Sequence, residues 1–282
     1  MLEKIETVPA LRERLRRDRE TKVVGLVPTM GALHAGHAEL IKIARRECGV
    51  VVASIFVNPL QFDNPDDLAR YPRTLDSDLA LCREFGVDVV FAPLPIEVYP
   101  EPPDCTVDIG HLGDHLCGKF RPGHFRGVAT IVLKLFQMVQ PHRAYFGEKD
   151  AQQLAIIRRL VSDFNVPLAI LEVPTVREPD GLAMSSRNRH LSPAQRAVAV
   201  CLYEALREGA RVIGAGERRA AAVKDAAERK IPASEMLKLE YLEIVDPGSM
   251  QPVEEITIPV RIAGALWVGS TRLIDNVLAS RS

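Results

Sequence analysis

Two histidines three positions apart, His34 and His37, close the stretch Val27-Pro-Thr-Met-Gly-Ala-Leu-His-Ala-Gly-His37, directly after the apolar run Val23 to Val27. That order predicts a strand, a tight turn and a helix start, which would aim both imidazoles and several backbone N–H groups at one point. Such a point suits a nucleotide phosphate. A polyphosphate that loses pyrophosphate builds negative charge on its leaving oxygens, and a helix N-terminus carrying histidines stabilises that charge without rearranging. Gly31 lets the turn tighten, and Gly36 leaves the backbone open to close approach. A His-x-x-His pair alone is more often two ordinary surface or core histidines, so the reading needs support from other residues.

Two further constellations supply it. Gly147-Glu148-Lys149-Asp150 follows apolar residues and opens the helix-like segment Gln152 to Leu160. At a strand-to-helix turn the lysine would hold a phosphate and the acceptors a ribose hydroxyl, although an ordinary charged helix start has the same composition. The second is Gly181-Leu-Ala-Met184-Ser185-Ser186-Arg187-Asn188-Arg189. Its hydroxyls, backbone donors and guanidinium would clamp outer phosphates on a movable loop, and a polar linker would look alike. Gln61 and Gln153 each follow a predicted strand-end turn, and their amides would suit a small substrate bearing hydroxyls and a carboxylate. No Gly-x-x-x-x-Gly-Lys-Ser/Thr, Gly-x-Gly-x-x-Gly or Gly-x-Ser-x-Gly is present, which removes the main support for P-loop, dinucleotide-binding and serine-hydrolase chemistry.

The elements that must position these residues alternate. Val23 to Val27, Val50 to Val57, Val87 to Phe91 and Leu168 to Val173 read as strands buried on both faces. Residues 36 to 47 and 74 to 85 have helical spacing, and Asn64-Pro65-Asp66-Asp67 reads as an N-cap, a first-turn proline and dipole-favoured acids. Gly127 to Val139 predicts a buried helix ended by Pro141. The fold class is therefore α/β, with a Rossmann-like parallel-sheet nucleotide-binding domain over residues 1–175. Beyond it, the Ala- and Arg-rich stretch Pro193 to Lys230, entered through Ser192, precedes alternating segments at Leu237 to Val245 and Ile256 to Val268. Helices before strands predict a smaller C-terminal α+β domain over residues 176–282, carrying the mobile phosphate-binding loop.

Composition narrows the partners. Thirty-six basic against 37 acidic residues give a net charge of -1, which argues against a nucleic-acid-binding surface. With no signal-peptide core near the start and no apolar stretch of roughly 18 residues, the expectation is a cytoplasmic protein without a membrane span. Five cysteines without a Cys-x-x-Cys pair read as reduced, mostly packing residues. His111, Asp114, His115, Cys117 and His124 lie close in sequence, but the intervening glycines and proline lack standard ligand spacing, and no zinc site is expected.

Taken in order, the motifs resemble those of the pantothenate synthetases, AMP-forming ligases of pantoate and β-alanine within the nucleotidyltransferases that carry a His-x-Gly-His signature. The resemblance rests on Pro28 to His37, Phe56-Val-Asn-Pro-Leu-Gln-Phe62, Tyr71-Pro-Arg-Thr74, Arg121 to Val128, Phe146 to Gln153, Met184 to Asn188 and Arg272-Leu-Ile-Asp-Asn276, and spans nearly the whole chain. It implies that Met30, Gly31, Ala32, Leu33, His34, Ala35, Gly36 and His37 line the ATP site, with His34 and His37 near the phosphates and His37 the proton donor. It further implies that Gly147, Glu148, Lys149 and Asp150 hold ribose and phosphates, Val176 the adenine through its backbone, and Met184, Ser185, Ser186 and Arg187 the triphosphate. Gln61 and Gln153 would bind pantoate, with Gln61 also near β-alanine. His34, His37, Lys149 and Arg187 are thus the expected catalytic set. A homodimer using Mg²⁺ with ATP is implied, with the metal ligands left unassigned. His190 is one departure, since relatives often carry tyrosine there. A related nucleotidyltransferase acting on a phosphorylated alcohol would use the same histidines and serine-arginine loop, while Gln61, Gln153 and the C-terminal domain favour the ligase. A nucleotide-sensing or RNA-binding relative would be expected to have lost the catalytic residues or to carry a basic surface.

Overall fold

The computed structural model describes residues 2–280, which separate into two compact units. The first comprises Met1–Ile109, Arg121–Glu148 and Ile156–Pro174. Its strands are β1 (Glu3–Ile5), β2 (Val24–Thr29), β3 (Val50–Ile55), β4 (Val89–Phe91), β5 (Arg143–Gly147) and β6 (Ala169–Val173). They form one sheet in the order β1-β4-β3-β2-β5-β6, and every pair is parallel. The chain winds outward from β2 through β3 to β4 and then returns across β2 to β5 and β6. The order therefore reverses between β2 and β5, the switch point at which open α/β sheets bind ligands beyond their strand C-termini.

The valine-rich runs form the central strands because β-branched side chains fit a surface covered on both faces. Val50, Val51, Val52 and Ala53 of β3 are buried, as are Val89, Val90 and Phe91 of β4. Two strands depart from the expectation. β1 is a three-residue edge strand, Glu-Lys-Ile, too short and polar to leave an apolar signal. β6 lies at the opposite edge and is partly exposed along its length, with only Val173 buried, so it is not covered on both faces.

Helices fall close to the predicted spans. Ala35–Glu47 buries Ala38, Leu40, Ile41 and Ala44, the last three packed in one cluster with Val27, Val51 and Tyr145. Leu75–Glu84 buries Asp78 and Cys82. Pro65–Arg70 starts as read, with Asn64 accepting from the Asp66 N–H at 2.8 Å and Pro65 in the first turn. His124–Val139 is largely buried and ends at Gln140, which adopts a left-handed φ of 51° just before Pro141.

The second unit gathers Gly110–Phe120, Lys149–Ala155 and Thr175–Ser282. Two segments that the sequence groups with the first domain, 110–120 and 149–155, thus make their contacts here. Strands β7 (Leu237–Val245), β8 (Val260–Val268) and β9 (Thr271–Ala279) form an antiparallel sheet in sequence order. The helix Cys201–Gly214 buries Leu202, Ala205, Leu206 and Ile213 in one core with Leu242, Ile262 and Leu266. The long Ala- and Arg-rich stretch is broken into Pro193–Val198, Cys201–Gly214 and Ala220–Glu228. Its last break falls at Gly214-Ala-Gly216, where Gly216 takes a φ of 103° that favours glycine. Ser192 caps the first piece as expected, in a reciprocal capping box with Gln195. Among the described residues no helix is long and apolar enough to cross a membrane.

Candidate active site

The exit of β2 is built by hydrogen bonds that turn the chain sharply into the histidine helix. Thr29 Oγ1 donates to the Ser54 carbonyl at 2.7 Å and accepts from the Gly31 N–H at 3.1 Å. Gly31 and Ala32 both take positive φ, 81° and 51°. For alanine that conformation is strained by about 1–2 kcal/mol and has to be held. Asp78 holds it. Its carboxylate, 2% exposed, accepts from the Ala32 N–H at 3.0 Å and the Leu33 N–H at 2.8 Å, and from the Thr74 hydroxyl at 3.2 Å. Burial, and then the charge of Asp78, push the neighbouring Cys82 thiol up to about 12.

His34 is the N-cap of the Ala35–Glu47 helix. Its Nδ1 accepts from the Gly36 N–H at 3.1 Å, while His37 Nδ1 accepts from the His34 N–H at 3.3 Å, a reciprocal capping box made of two imidazoles. The rings lie 4.1 Å apart between centroids. Gly36 makes this possible, since a Cβ there would stand 2.9 Å from His34 Cε1. The backbone donors expected to face a phosphate are therefore largely occupied within the turn itself, by Thr29, Asp78 and the two rings. Because both Nδ1 atoms accept, each ring, when neutral, carries its proton on Nε2 and donates from that atom.

β3 leads into the Pro59–Gln61 turn. Asn58, fully buried, donates through Nδ2 to Gln61 Oε1 and to the Gly127 carbonyl, each at 3.1 Å, and accepts from Tyr99 Oη at 2.9 Å. Burial raises the Tyr99 phenol above its ordinary range, so it remains a donor. The Gln61 carbonyl accepts from His124 Nδ1 at 2.8 Å and from Arg121 Nη2 at 3.3 Å. At Gly127 a Cβ would lie 2.2 Å from the Leu60 carbonyl oxygen, so glycine alone admits this close approach. Gln61 is therefore a fixed amide, clamped through its side chain and its backbone.

The first unit thus brings Met30 to His37, Gln61, Gly147 and Glu148 to the C-terminal edge of one sheet. The second unit holds Lys149, Asp150, Gln153, Val176 and Met184 to Arg187. Lys149 and Asp150 sit on the short 3-10 turn Glu148–Asp150, with Nζ 3.9 Å from Asp150 Oδ2. Gln152, next to the expected Gln153, is structural: its Nε2 donates to the Leu112 and His115 carbonyls, both at 2.8 Å. The segment Gly181 to Asn188 is a hydrogen-bonded turn. Ala183 bridges Arg177, the Met184 N–H donates to the Val176 carbonyl at 2.9 Å, and Asn188 ties back to Glu178 and Ala183. Ser185 caps the short 3-10 helix Ser186–His190 that carries Arg187. His111 pairs with Asp114 at 2.8 Å, and Cys117 lies against Tyr241 at 3.1 Å.

Sequence reading missed Asp78, Tyr99 and His124 as contributors. Asp78 resembles any first-turn acid, and its nearest signal was the Tyr71-Pro-Arg-Thr74 motif just upstream.

Comparisons with known proteins agree in direction. A family model described as pantoate-beta-alanine ligase matches residues 2–278. The pantothenate synthetase of Moorella thermoacetica is 50% identical over 278 residues, 98% of this chain and 98% of that protein. The bifunctional pantoate ligase/cytidylate kinase of Synechococcus elongatus is 54% identical over 257 residues, 90% of this chain but 49% of that protein. The chain thus spans about half the length of such bifunctional relatives. The crystal structure of pantothenate synthetase from Thermus thermophilus superimposes with a TM-score of 0.92 at 48% identity, covering 97% of this chain and 98% of that one. A pantoate-beta-alanine ligase from Francisella tularensis, complexed with beta-gamma ATP and beta-alanine, gives a TM-score of 0.82 at 35% identity, covering 99% of this chain and 98% of that one.

Replacing Asp78 by alanine leaves the Ala32 and Leu33 N–H groups buried without their acceptor, at about 1–3 kcal/mol for each donor. Urea denaturation of Asp78→Ala should show a midpoint lowered accordingly; an unchanged midpoint would show that the carboxylate does not hold the turn.

Proposed function

Because the chain belongs to the pantoate-beta-alanine ligase family, we propose that it condenses pantoate with β-alanine at the expense of ATP, through a pantoyl-adenylate, releasing pyrophosphate and AMP. The observation that carries this reading at the level of residues is the imidazole capping box at the exit of β2. Two rings whose Nδ1 atoms are engaged by backbone donate from Nε2, which suits phosphate oxygens gaining charge.

Pantoate needs no general base for the first step. Its carboxylate is ionised near neutral pH and attacks the α-phosphorus directly, so the harder task is to offset repulsion between carboxylate and triphosphate. His34 and His37 stabilise the departing pyrophosphate, Lys149 neutralises phosphate charge, and Arg187 with Ser185 and Ser186 holds the outer phosphates. Met30 to Leu33 and Gly147 to Asp150 line the nucleotide, and Val176 meets the base through its backbone. Gln61, fixed by Asn58, hydrogen-bonds pantoate, and Gln153 does so from its own helix. In the second step the neutral amine of β-alanine attacks the acyl carbon and expels AMP.

Mg²⁺ bound with ATP supplies charge neutralisation. In this reading the ion would arrive on the triphosphate and keep several waters. The reading includes a homodimer. A sedimentation mass of one chain would contradict it.

With ATP, pantoate and β-alanine the protein should produce AMP and pantothenate in equal amounts. Pyrophosphate release without amide would point instead to a nucleotidyltransferase of another substrate, and absence of turnover would end the enzymatic reading. His37→Ala should lower kcat by roughly 10²-fold or more, as loss of one transition-state donor does; near-normal turnover would remove its catalytic role.

A further inference from the structure

The motif Arg272-Leu-Ile-Asp-Asn276 lies on β9 and has no part in the chemistry above. Its last two residues are buried, Asp275 at 5% and Asn276 at 4% exposure. Asp275 takes Arg177 in a bidentate pair, with Nη1 to Oδ2 at 2.6 Å and Nη2 to Oδ1 at 2.9 Å. The same guanidinium donates to the Gly181 carbonyl at 3.0 Å and stacks over the Tyr203 ring, 3.8 Å from its centroid. Gly181 accommodates that ring, because a Cβ at this residue would meet Tyr203 Cδ1 at 2.4 Å. Asp275 thereby fixes, through Arg177, the start of the turn that carries Met184 to Arg187.

Asn276 reaches the other phosphate-facing segment. Its Nδ2 donates to the Lys149 carbonyl at 2.9 Å, and its Oδ1 accepts from Arg261 Nη1. A guanidinium has only donors, so Oδ1 must face Arg261 and the amide cannot be turned round. The donor toward Lys149 is therefore specified by a third residue. Adjacent positions of one strand hold the two segments, and the Asn276 contact falls on the backbone of the lysine itself.

We infer that Asn276 is a positioning residue for Lys149: by pinning the Lys149 carbonyl on the short turn Glu148–Asp150 it fixes where the ammonium can reach. The inference rests on the reading that Lys149 acts on the phosphates of ATP. A lysine side chain is long and flexible, so its ammonium is placed only as well as its Cα, and a small displacement of a charge-stabilising group costs much of its effect.

Asn276→Asp is the discriminating substitution. It retains the acceptor for Arg261 and replaces the N–H that faces Lys149 by an oxygen. It should lower kcat at least tenfold while leaving KM for β-alanine within twofold. In a Lys149→Met background, the same change should cost less than twofold more, because the group being positioned has gone. A loss of equal size in both backgrounds would overturn the inference while leaving the role of Lys149 intact, as would a uniform fall across all substrates accompanied by a lower melting temperature. If Lys149→Met alone leaves kcat within twofold, the assignment of Lys149 fails, and the inference with it. Should Asn276→Asp lack a cooperative thermal transition, Asn276→Ser, neutral and too short to reach the carbonyl, carries the same cycle with the same outcomes.

Discussion

A carboxylate taken out of water must find donors, and Asp78 finds them in the backbone of the one segment that cannot hold its own shape. Gly31 and Ala32 run at positive φ, and nothing in their side chains stabilises that path. The two N–H groups that Asp78 accepts from belong to Ala32 and Leu33, the residues just before His34. With the turn fixed, His34 falls where its ring can cap the helix, and His37 can answer from one turn along. The position of both imidazoles therefore depends on a side chain 45 residues beyond Leu33 in sequence.

The parallel sheet does the coarser placement. All its strands leave at one edge, so Met30 to His37 after β2, Asn58 to Gln61 after β3 and Gly147 at the end of β5 emerge there together. Finer placement comes from buried polar side chains with complementary partners. Asn58 clamps Gln61, and His124 and Arg121 clamp the Gln61 carbonyl. In the second unit Arg177 and Asp275 do the same for the turn at Gly181. Each satisfied network is stiff because losing a partner leaves a buried group unpaired.

Local patterns were readable from sequence and long-range ones were not. Val50 to Ala53 and Val89 to Phe91 form strands as their β-branched runs predict, and the caps at Asn64 and Ser192 sit where their residue types place them. β1 was invisible because three residues, two of them charged, carry no periodicity. β9 escaped because its Arg, Asp and Asn serve buried contacts that an alternation rule counts as solvent-facing. The motifs around His34, Lys149 and Arg187 stood out by composition. That Asp78 holds the first turn and Asn276 the second could not be read, since each is an ordinary polar residue until the chain folds back on it. The expectation of open N–H groups at the histidine helix erred for a related reason: imidazoles are side chains able to use those donors themselves.

On the proposed function, the strand-exit histidines serve an acyl-adenylation that precedes amide formation. Exchange of labelled pyrophosphate into ATP measures that step alone. Label should enter ATP when pantoate is present and β-alanine is absent, and should not enter without pantoate. Exchange that needs β-alanine, or that proceeds equally without pantoate, would contradict the account.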